Sequence, residues 1–163
     1  MIFVGIDPGL AGGIGVINTE DNSAVAYKYT PDKLIEVLRT LVDKDNVHFT
    51  VEQVHAMPKQ GVSSTFTFGT GYGMILGILR ANGIIPQNAK PGVWKRKIGV
   101  TADKQTSIHK AMKLFPNTSL LPTPRCRVPS DGLAEALLIA EYGRLTYKQV
   151  NNIFKERSIN ENR

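Results

Sequence analysis

Four acidic residues stand where separate segments of the chain are expected to begin or end. Asp7 follows a β-branched run and precedes a Pro-Gly pair, and Glu52 closes another apolar run. Asp131 and Glu135 are four residues apart, so a helix would present both from one face. If the strands before Asp7 and Glu52 are neighbours, their carboxylates meet at one sheet edge and repel each other unless a cation lies between them.

Such a cluster of oxygen ligands predicts Mg²⁺, with Mn²⁺ as a substitute. Two such ions can activate water and stabilise the leaving oxygen in phosphodiester hydrolysis, so no protein nucleophile is required. Three of these acids also have a simpler interpretation. Asp7 can start a turn, Glu52 can be a solvated strand end, and Asp131 can favour a helix N-terminus through the helix dipole.

The elements that would position these acids are visible in the hydrophobic pattern of the first third of the chain. The pattern predicts strands at residues 2–6, 12–17, 23–29 and 47–54 and a helix at 32–42. The first two strands flank a Pro-Gly turn and should form a hairpin. This order is typical of an α/β fold with a mixed sheet and helices packed on its faces.

The next segment is predicted to carry loops and short elements. Residues 56–71 are rich in Gly, Ser and Thr and predict an exposed loop, followed by a helix at 72–81 and a short strand at 84–85. Gly73 and Gly77 lie four apart in that helix. Their spacing favours close packing either on the chain's own sheet or on a second subunit.

Two basic helices and a final buried helix complete the prediction. A short helix is expected around 93–97 and a longer one from about residue 102, and Ser130 is placed to cap a helix at 131–142. Beyond Gly143 the pattern predicts one more amphipathic helix that frays. We find no linker or repeat and predict one domain over 1–163, with a disordered tail after about residue 157.

Composition favours a polyanionic partner. Twenty Lys and Arg against fourteen Asp and Glu give a net charge of +6 and a pI near 9.5. The densest positive stretch, residues 90–113, holds seven Lys or Arg and one acid, Asp103. Within this stretch, Lys95, Arg96, Lys97, Lys104 and Lys110 are candidates for contact with a nucleic acid.

Cys126 is the only cysteine, which excludes an intramolecular disulfide and a thiolate zinc site and favours a reducing cytosol. No basic and apolar leader pattern opens the chain. The longest oily stretch, Gly73 to Leu79, is closed by Arg80. The sequence predicts neither secretion nor membrane insertion.

Several motifs together resemble those of one nuclease family. Gly-Ile-Asp-Pro-Gly at 5–9 resembles the first motif of RuvC-type Holliday junction resolvases, members of the RNase H-like superfamily. Four later segments resemble the family's other motifs and occur in the family's order. They are an acidic motif at 51–54, a helix at 69–79, a basic stretch at 90–113 and a last motif at 134–140. The resemblance spans roughly residues 2–142.

This resemblance implies an RNase H-like mixed sheet of about five strands flanked by helices. It implies a homodimeric, Mg²⁺-dependent endonuclease that resolves four-way junctions and other branched DNA in a bacterial or phage-infected cytosol. Asp7 and Glu52 would be metal ligands and catalytic carboxylates, and Glu135 would replace the family's final Asp. The dimer would use the helix of Gly73 and Gly77.

The last motif departs from the family pattern. The family carries two Asp three residues apart, whereas here Gly132 stands three before Glu135 and the extra acid is Asp131. Both acids still share a helix face, and the sequence leaves open how Asp131 and Glu135 divide the work. This variation resembles the phage-encoded branch.

By the same resemblance, Lys95 and Lys104 fall near the scissile DNA, with Lys104 part of the catalytic set. A solvated helix face is the simpler interpretation of both lysines. His55 occupies the position of an aromatic wedge, and Phe66 or Phe68 could open the junction in its place, although loop aromatics are more often local packing.

Other functions compatible with the sequence are a nuclease acting on hybrids or flaps and a non-catalytic, branched-DNA-binding protein. An actin-like ATPase or sugar kinase also opens with a strand, an Asp and a Gly turn. The 163 residues are too few for the two lobes of those proteins.

Overall fold

The computed structural model describes residues 1–41, 44–53 and 61–161, with side chains described through Asn151. Its five strands are β1 (Ile2–Ile6), β2 (Gly13–Asn18), β3 (Ser23–Lys28), β4 (Val47–Glu52) and β5 (Gln87–Ala89). They form one sheet in the order β3-β2-β1-β4-β5. β1 and β2 form the predicted antiparallel hairpin, whereas β1 with β4 and β4 with β5 are parallel. The prediction of a mixed sheet is confirmed.

Within the described residues, five helices cover the two faces of this sheet: α1 (Pro31–Leu41), α2 (Val62–Ala81), α3 (Pro91–Ile98), α4 (Lys104–Leu114) and α5 (Asp131–Glu161). Side chains alternate along each strand, so Val4 and Ile6 pack with α1 and α2 while Phe3 packs with α3, α4 and α5. The result is a three-layer arrangement with a hydrophobic core on each face of the sheet.

Helix α5 lies directly on the sheet because glycines face it. A Cβ added at Gly5 would lie 2.2 Å from the Ala136 carbonyl oxygen, and one at Gly15 would lie 2.5 Å from the Leu137 nitrogen. Only a residue without a side chain allows the backbones to approach so closely. This contact fixes the first turns of α5 relative to the ends of β1 and β2.

The predicted loop at 56–71 is wrong for the part that the structure describes, because α2 begins at Val62. Ser and Thr usually favour turns, since their hydroxyls compete with helical hydrogen bonds. Here Thr65 and Thr70 donate to carbonyl oxygens four residues earlier, at Gly61 and Phe66, and so remain compatible with the helix.

The short strand predicted at 84–85 is also wrong, and β5 lies at Gln87–Ala89 instead. Ile84 donates its N–H to the Leu79 carbonyl at 3.0 Å, after Gly83 in the left-handed region. Ile84 therefore belongs to the end of α2 and not to the sheet.

The separate helix predicted beyond Gly143 is in fact a continuation of α5, which runs unbroken over 31 residues. Gly143 does not end the helix because it lies against β4, where an added Cβ would be 2.3 Å from Thr50 Oγ1. Its lack of a side chain serves packing, and the helix continues past it.

Helix α2 is apolar yet mostly exposed. By length and composition alone it could cross a membrane, and 11% of its most apolar window is buried. Its buried residues, Ile75 and Leu79, belong to the core cluster shared with α1 and β4. The helix is thus anchored along one side, and its remaining surface is free of contacts within the described part of the chain at Gly69, Gly73 and Gly77.

Candidate active site

Asp7 and Glu52 lie side by side at the carboxyl ends of two parallel strands. Ile6 pairs with Val51 in the register of β1 and β4, so the next position on each strand is an acid. Both side chains point to the sheet face covered by α3, α4 and α5, because they share the alternation of Phe3 and Thr50. The adjacency expected from the sequence is present.

Helix α5 brings its first-turn acids to the same place. A cleft of about 840 Å³ is bounded by the turn after β1, the start of α2, the start of α4 and the start of α5. Its lining includes Asp7, Asp131 and Glu135 together with Lys104, Ser63, Ser64, Thr67 and Phe68. Three of the four predicted acids therefore share one cleft, and the fourth, Glu52, adjoins Asp7.

The electrostatic effect of this clustering appears at Asp7. Burial, with smaller contributions from the negative charges of Glu52, Glu135 and Asp131, raises the pKa of Asp7 to about 7 despite the lowering effect of the Gly9 N–H. The Gly9 N–H donates to Asp7 Oδ1 at 2.9 Å and holds the carboxylate at the turn. A buried acid among like charges is an arrangement found more often at functional sites than elsewhere.

Two lysines lie among these acids. Lys104, the first residue of α4, forms an ion pair with Asp131, and Lys95 on α3 forms one with Glu135. Ser107, fully buried on α4, donates a second hydrogen bond to Glu135 at 3.0 Å.

The Lys104–Asp131 pair changes the pKa of both partners. Burial raises the pKa of the Asp131 carboxyl, but the hydrogen bond and charge of Lys104 outweigh it, and the pKa lies below its usual value. The same hydrogen bond raises the pKa of Lys104. Both groups are therefore charged near neutral pH, and the cleft holds interleaved positive and negative charges.

Trp94 and Ser107 are site residues that the sequence did not reveal. The indole Nε1 of Trp94 donates to Glu52 Oε1 at 2.8 Å, although 42 residues separate them. Trp94 is the only tryptophan of the chain and is fully buried. A single tryptophan within a basic stretch was the available signal, but no spacing rule connects it with Glu52.

The position of Gly132 explains why the second acid of α5 stands at 131. A Cβ added at Gly132 would lie 1.9 Å from the Ala11 carbonyl oxygen and 3.0 Å from the Gly12 Cα. The turn between β1 and β2 thus occupies the space that a side chain at 132 would need. Asp131, one residue earlier, reaches the cleft without that clash.

The remaining predicted DNA-contacting residues that the structure describes lie on α2, α3 and α4. Arg96 and Lys97 are exposed on α3, and Lys110 is half-buried on α4. Lys97 donates to Gln149 at 2.9 Å. Phe68 lines the cleft, whereas Phe66 is 76% exposed on α2 and is not among the lining residues. His55 lies outside the described residues.

The donor set fits a hard divalent cation in its chemistry, because it consists of carboxylate oxygens in a negatively charged recess. Within residues 1–41, 44–53 and 61–161, no three acids, histidines or cysteines converge tightly enough to form a ready ligand set. Lys95 and Lys104 instead hold two of the four acids. A cation bound by all four acids would therefore displace Lys95 from Glu135 and Lys104 from Asp131.

The fold matches two structures of RuvC from Thermus thermophilus. One, in complex with Holliday junction substrate, has a TM-score of 0.64 at 18% identity and covers 91% of this chain and 96% of that chain. A second RuvC structure has a TM-score of 0.60 at 20% identity and covers 93% and 97%. No protein-family model and no curated protein sequence matches the chain. The likeness confirms the predicted RNase H-like fold, a five-stranded mixed sheet flanked by helices.

Proposed function

We propose that this chain is a metal-dependent endonuclease that cuts four-way junctions and other branched DNA by phosphodiester hydrolysis. The observation that carries the proposal is the meeting of Asp7 and Glu52 at one sheet edge, beside a cleft that also holds Asp131 and Glu135. The fold is that of RuvC, one structure of which is bound to a Holliday junction substrate. A net charge of +6 supports a nucleic-acid partner.

Asp7, Glu52, Asp131 and Glu135 would hold Mg²⁺, or Mn²⁺ in its place. The bound ions would supply an activated water and neutralise charge on the leaving oxygen. Lys104, 70% exposed at the cleft mouth, would hold a phosphate or steady developing charge there. Asp131 and Glu135 both line the cleft, and both are proposed as ligands.

The location of Lys95 separates its role from the roles of the neighbouring basic residues. Its ammonium pairs with Glu135 inside the site and does not lie on a solvated helix face, where Arg96 and Lys97 are found. We assign Lys95 to the reacting region and Arg96, Lys97 and Lys110 to backbone phosphates of flanking DNA. Phe68 lines the cleft and is better placed than Phe66 to stack on an unpaired base.

We further propose a homodimer in which α2 faces its counterpart. One active site per subunit on a twofold axis matches the symmetry of a four-way junction. An added Cβ at Gly73 or Gly77 meets nothing within 4 Å among the described residues, so packing on the chain's own sheet does not account for these glycines. A second subunit is the remaining explanation of the two that the sequence offered.

The function is tested by incubating Asp7→Asn and wild-type protein with a synthetic four-way junction and Mg²⁺. Cleavage should fall on the order of 100-fold or more, the scale of losing one group that stabilises reacting charge, while junction binding is retained. Asp32→Asn, the same change at an exposed position in the first turn of α1, is the matched control and should cut normally. Undiminished cutting by Asp7→Asn would refute the assignment.

The engagement of Asp131 and Glu135 by lysines favours one alternative, a branched-DNA-binding protein without catalysis. Stable junction binding by wild type, with no cutting in Mg²⁺ or Mn²⁺, would support it. The same gel should include a Y-fork and an RNA–DNA hybrid, because preferential cutting of either would assign the site to flaps or hybrids.

A further inference from the structure

A fully buried tryptophan makes direct contact with one acid of the proposed active site. Trp94 lies in α3, and its indole Nε1 donates to Glu52 Oε1 at 2.8 Å. The indole nitrogen is a donor without acceptor capacity. In a buried position it needs a partner, and the Glu52 oxygen provides it.

The tryptophan ring is held firmly enough to orient that acid. Trp94 is 0% exposed and belongs to the core cluster that also includes Ala89, Leu138 and Tyr142. Tryptophan has two side-chain torsions, and close packing on all sides restricts both. A rigid donor fixes the direction of a glutamate carboxylate that would otherwise sample several rotamers.

The next residue of α3 extends this arrangement to a second acid. The Lys95 ammonium lies 4.8 Å from the centroid of the Trp94 ring and pairs with Glu135. A cation over an aromatic face is attracted by the negative face of the ring. Ser107 donates to the same Glu135 oxygen at 3.0 Å. One turn of α3 thus contacts acids from two different elements, β4 and α5.

We propose that Trp94 is the positioning residue of this site. Its indole N–H sets the orientation of Glu52, and its ring supports Lys95 against Glu135. Being fully buried, it does not contact DNA, so it acts through the two glutamates alone. This inference rests on the proposed function for its catalytic consequence, whereas the Trp94–Glu52 contact itself can be measured without any cleavage assay.

The contact is tested by NMR on ¹⁵N-labelled protein. Because the chain has one tryptophan, one indole N–H resonance is expected. Glu52→Gln replaces the charged acceptor by a neutral one and should move that resonance, and Asp32→Asn should leave it in place. An indole resonance that is unchanged by Glu52→Gln overturns the inference.

The consequence is tested by removing the N–H alone. Trp94→Phe loses the donor but also volume, so the decisive variant carries 3-benzothienylalanine at 94, in which sulfur replaces the N–H in a ring of similar shape. The Mg²⁺ concentration for half-maximal junction cutting should rise about tenfold or more, the scale typical of losing a group that orients a metal ligand. Junction affinity should not change.

The outcomes of the two experiments are separable. An unchanged Mg²⁺ requirement in the benzothienylalanine protein overturns the positioning role. If wild-type protein cuts no substrate, the proposed function fails, and the NMR result alone decides whether Trp94 positions Glu52.

Discussion

Burial and three neighbouring carboxylates act on Asp7 in the same direction and raise its pKa to about 7. An unfolded chain would restore the usual value near 3.8. Between these two values the folded protein binds more protons at this position than the unfolded chain does. Stability contributed by Asp7 is therefore present at acidic pH and falls as pH rises towards 7.

The variant Asp7→Asn removes this titration and keeps an oxygen that can accept from Gly9. In EDTA, its free energy of unfolding relative to wild type should increase between pH 4.5 and pH 8.5. The difference between a pKa of 3.8 and one of about 7 corresponds to about 4 kcal/mol at most. Urea unfolding at the two pH values measures the difference. A constant or decreasing difference would contradict the buried, charge-crowded environment of Asp7.

Among individual residues, the sequence predicted the acids of the site but not the residues that donate hydrogen bonds to them. Asp7 and Glu52 could be identified because each directly follows an apolar run, and strand ends of a sheet share an edge. Trp94 and Ser107 could not, because their contacts with Glu52 and Glu135 cross 42 and 28 residues. Such contacts depend on how α3 and α4 pack, which hydrophobic periodicity does not specify.

Among the elements, α5 has the closest contact with the sheet. Gly5 and Gly15 bring its backbone against β1 and β2, and any side chain there would push the helix away. Since Asp131 and Glu135 lie on the first two turns of α5, its seating on the sheet also sets where those acids stand relative to Asp7.

Gly15→Ala should destabilise the fold by about 1–3 kcal/mol, the range of overpacked positions, because its Cβ would meet the Leu137 backbone at 2.5–2.7 Å. Gly92→Ala is the matched control. It lies in α3 with nothing within 4 Å of an added Cβ, and alanine should stabilise that helix by up to about 1 kcal/mol. Urea unfolding of both variants provides the measurement. Equal stability of Gly15→Ala and wild type would contradict the close seating of α5.

The prediction of elements was most accurate where burial alternates or repeats regularly. β1 to β4, α1 and the start of α5 lie within about two residues of their predicted bounds. The first turns of α2 were missed because composition indicated a loop, although its hydroxyls bond within the helix. A strand was predicted at Ile84 because that residue is apolar. In the structure Ile84 belongs to the end of α2, where its N–H donates to the Leu79 carbonyl, and it does not pair in the sheet.

For the whole molecule, the apolar and exposed side of α2 is the feature that the isolated chain does not explain. Phe66, Gly73 and Gly77 are spaced seven and four residues apart and therefore lie along one stripe of the helix. Phe66 is 76% exposed, and the glycines are open to close approach. An exposed apolar surface of this kind marks an interaction site.

Phe66→Glu should weaken self-association on the order of tenfold or more, because it places a charge in a desolvated contact. Sedimentation across a concentration series measures the monomer–dimer equilibrium. Val128→Glu makes a comparable change at another exposed apolar position, outside α2, and should leave the dimer intact. A wild-type protein that stays monomeric but floats with lipid vesicles would assign the helix to a membrane surface and overturn the proposed dimer.

The contact between Gly132 and the Ala11 carbonyl oxygen constrains which sequences can evolve on this scaffold. Acquiring an aspartate at 132, as in the RuvC-type motif, requires the turn at residues 9–12 to retreat first. Residue 132 and the turn at residues 9–12 are therefore coupled, although about 120 positions separate them in the sequence. Descendants of this chain would more readily vary residue 131 than convert to the other arrangement.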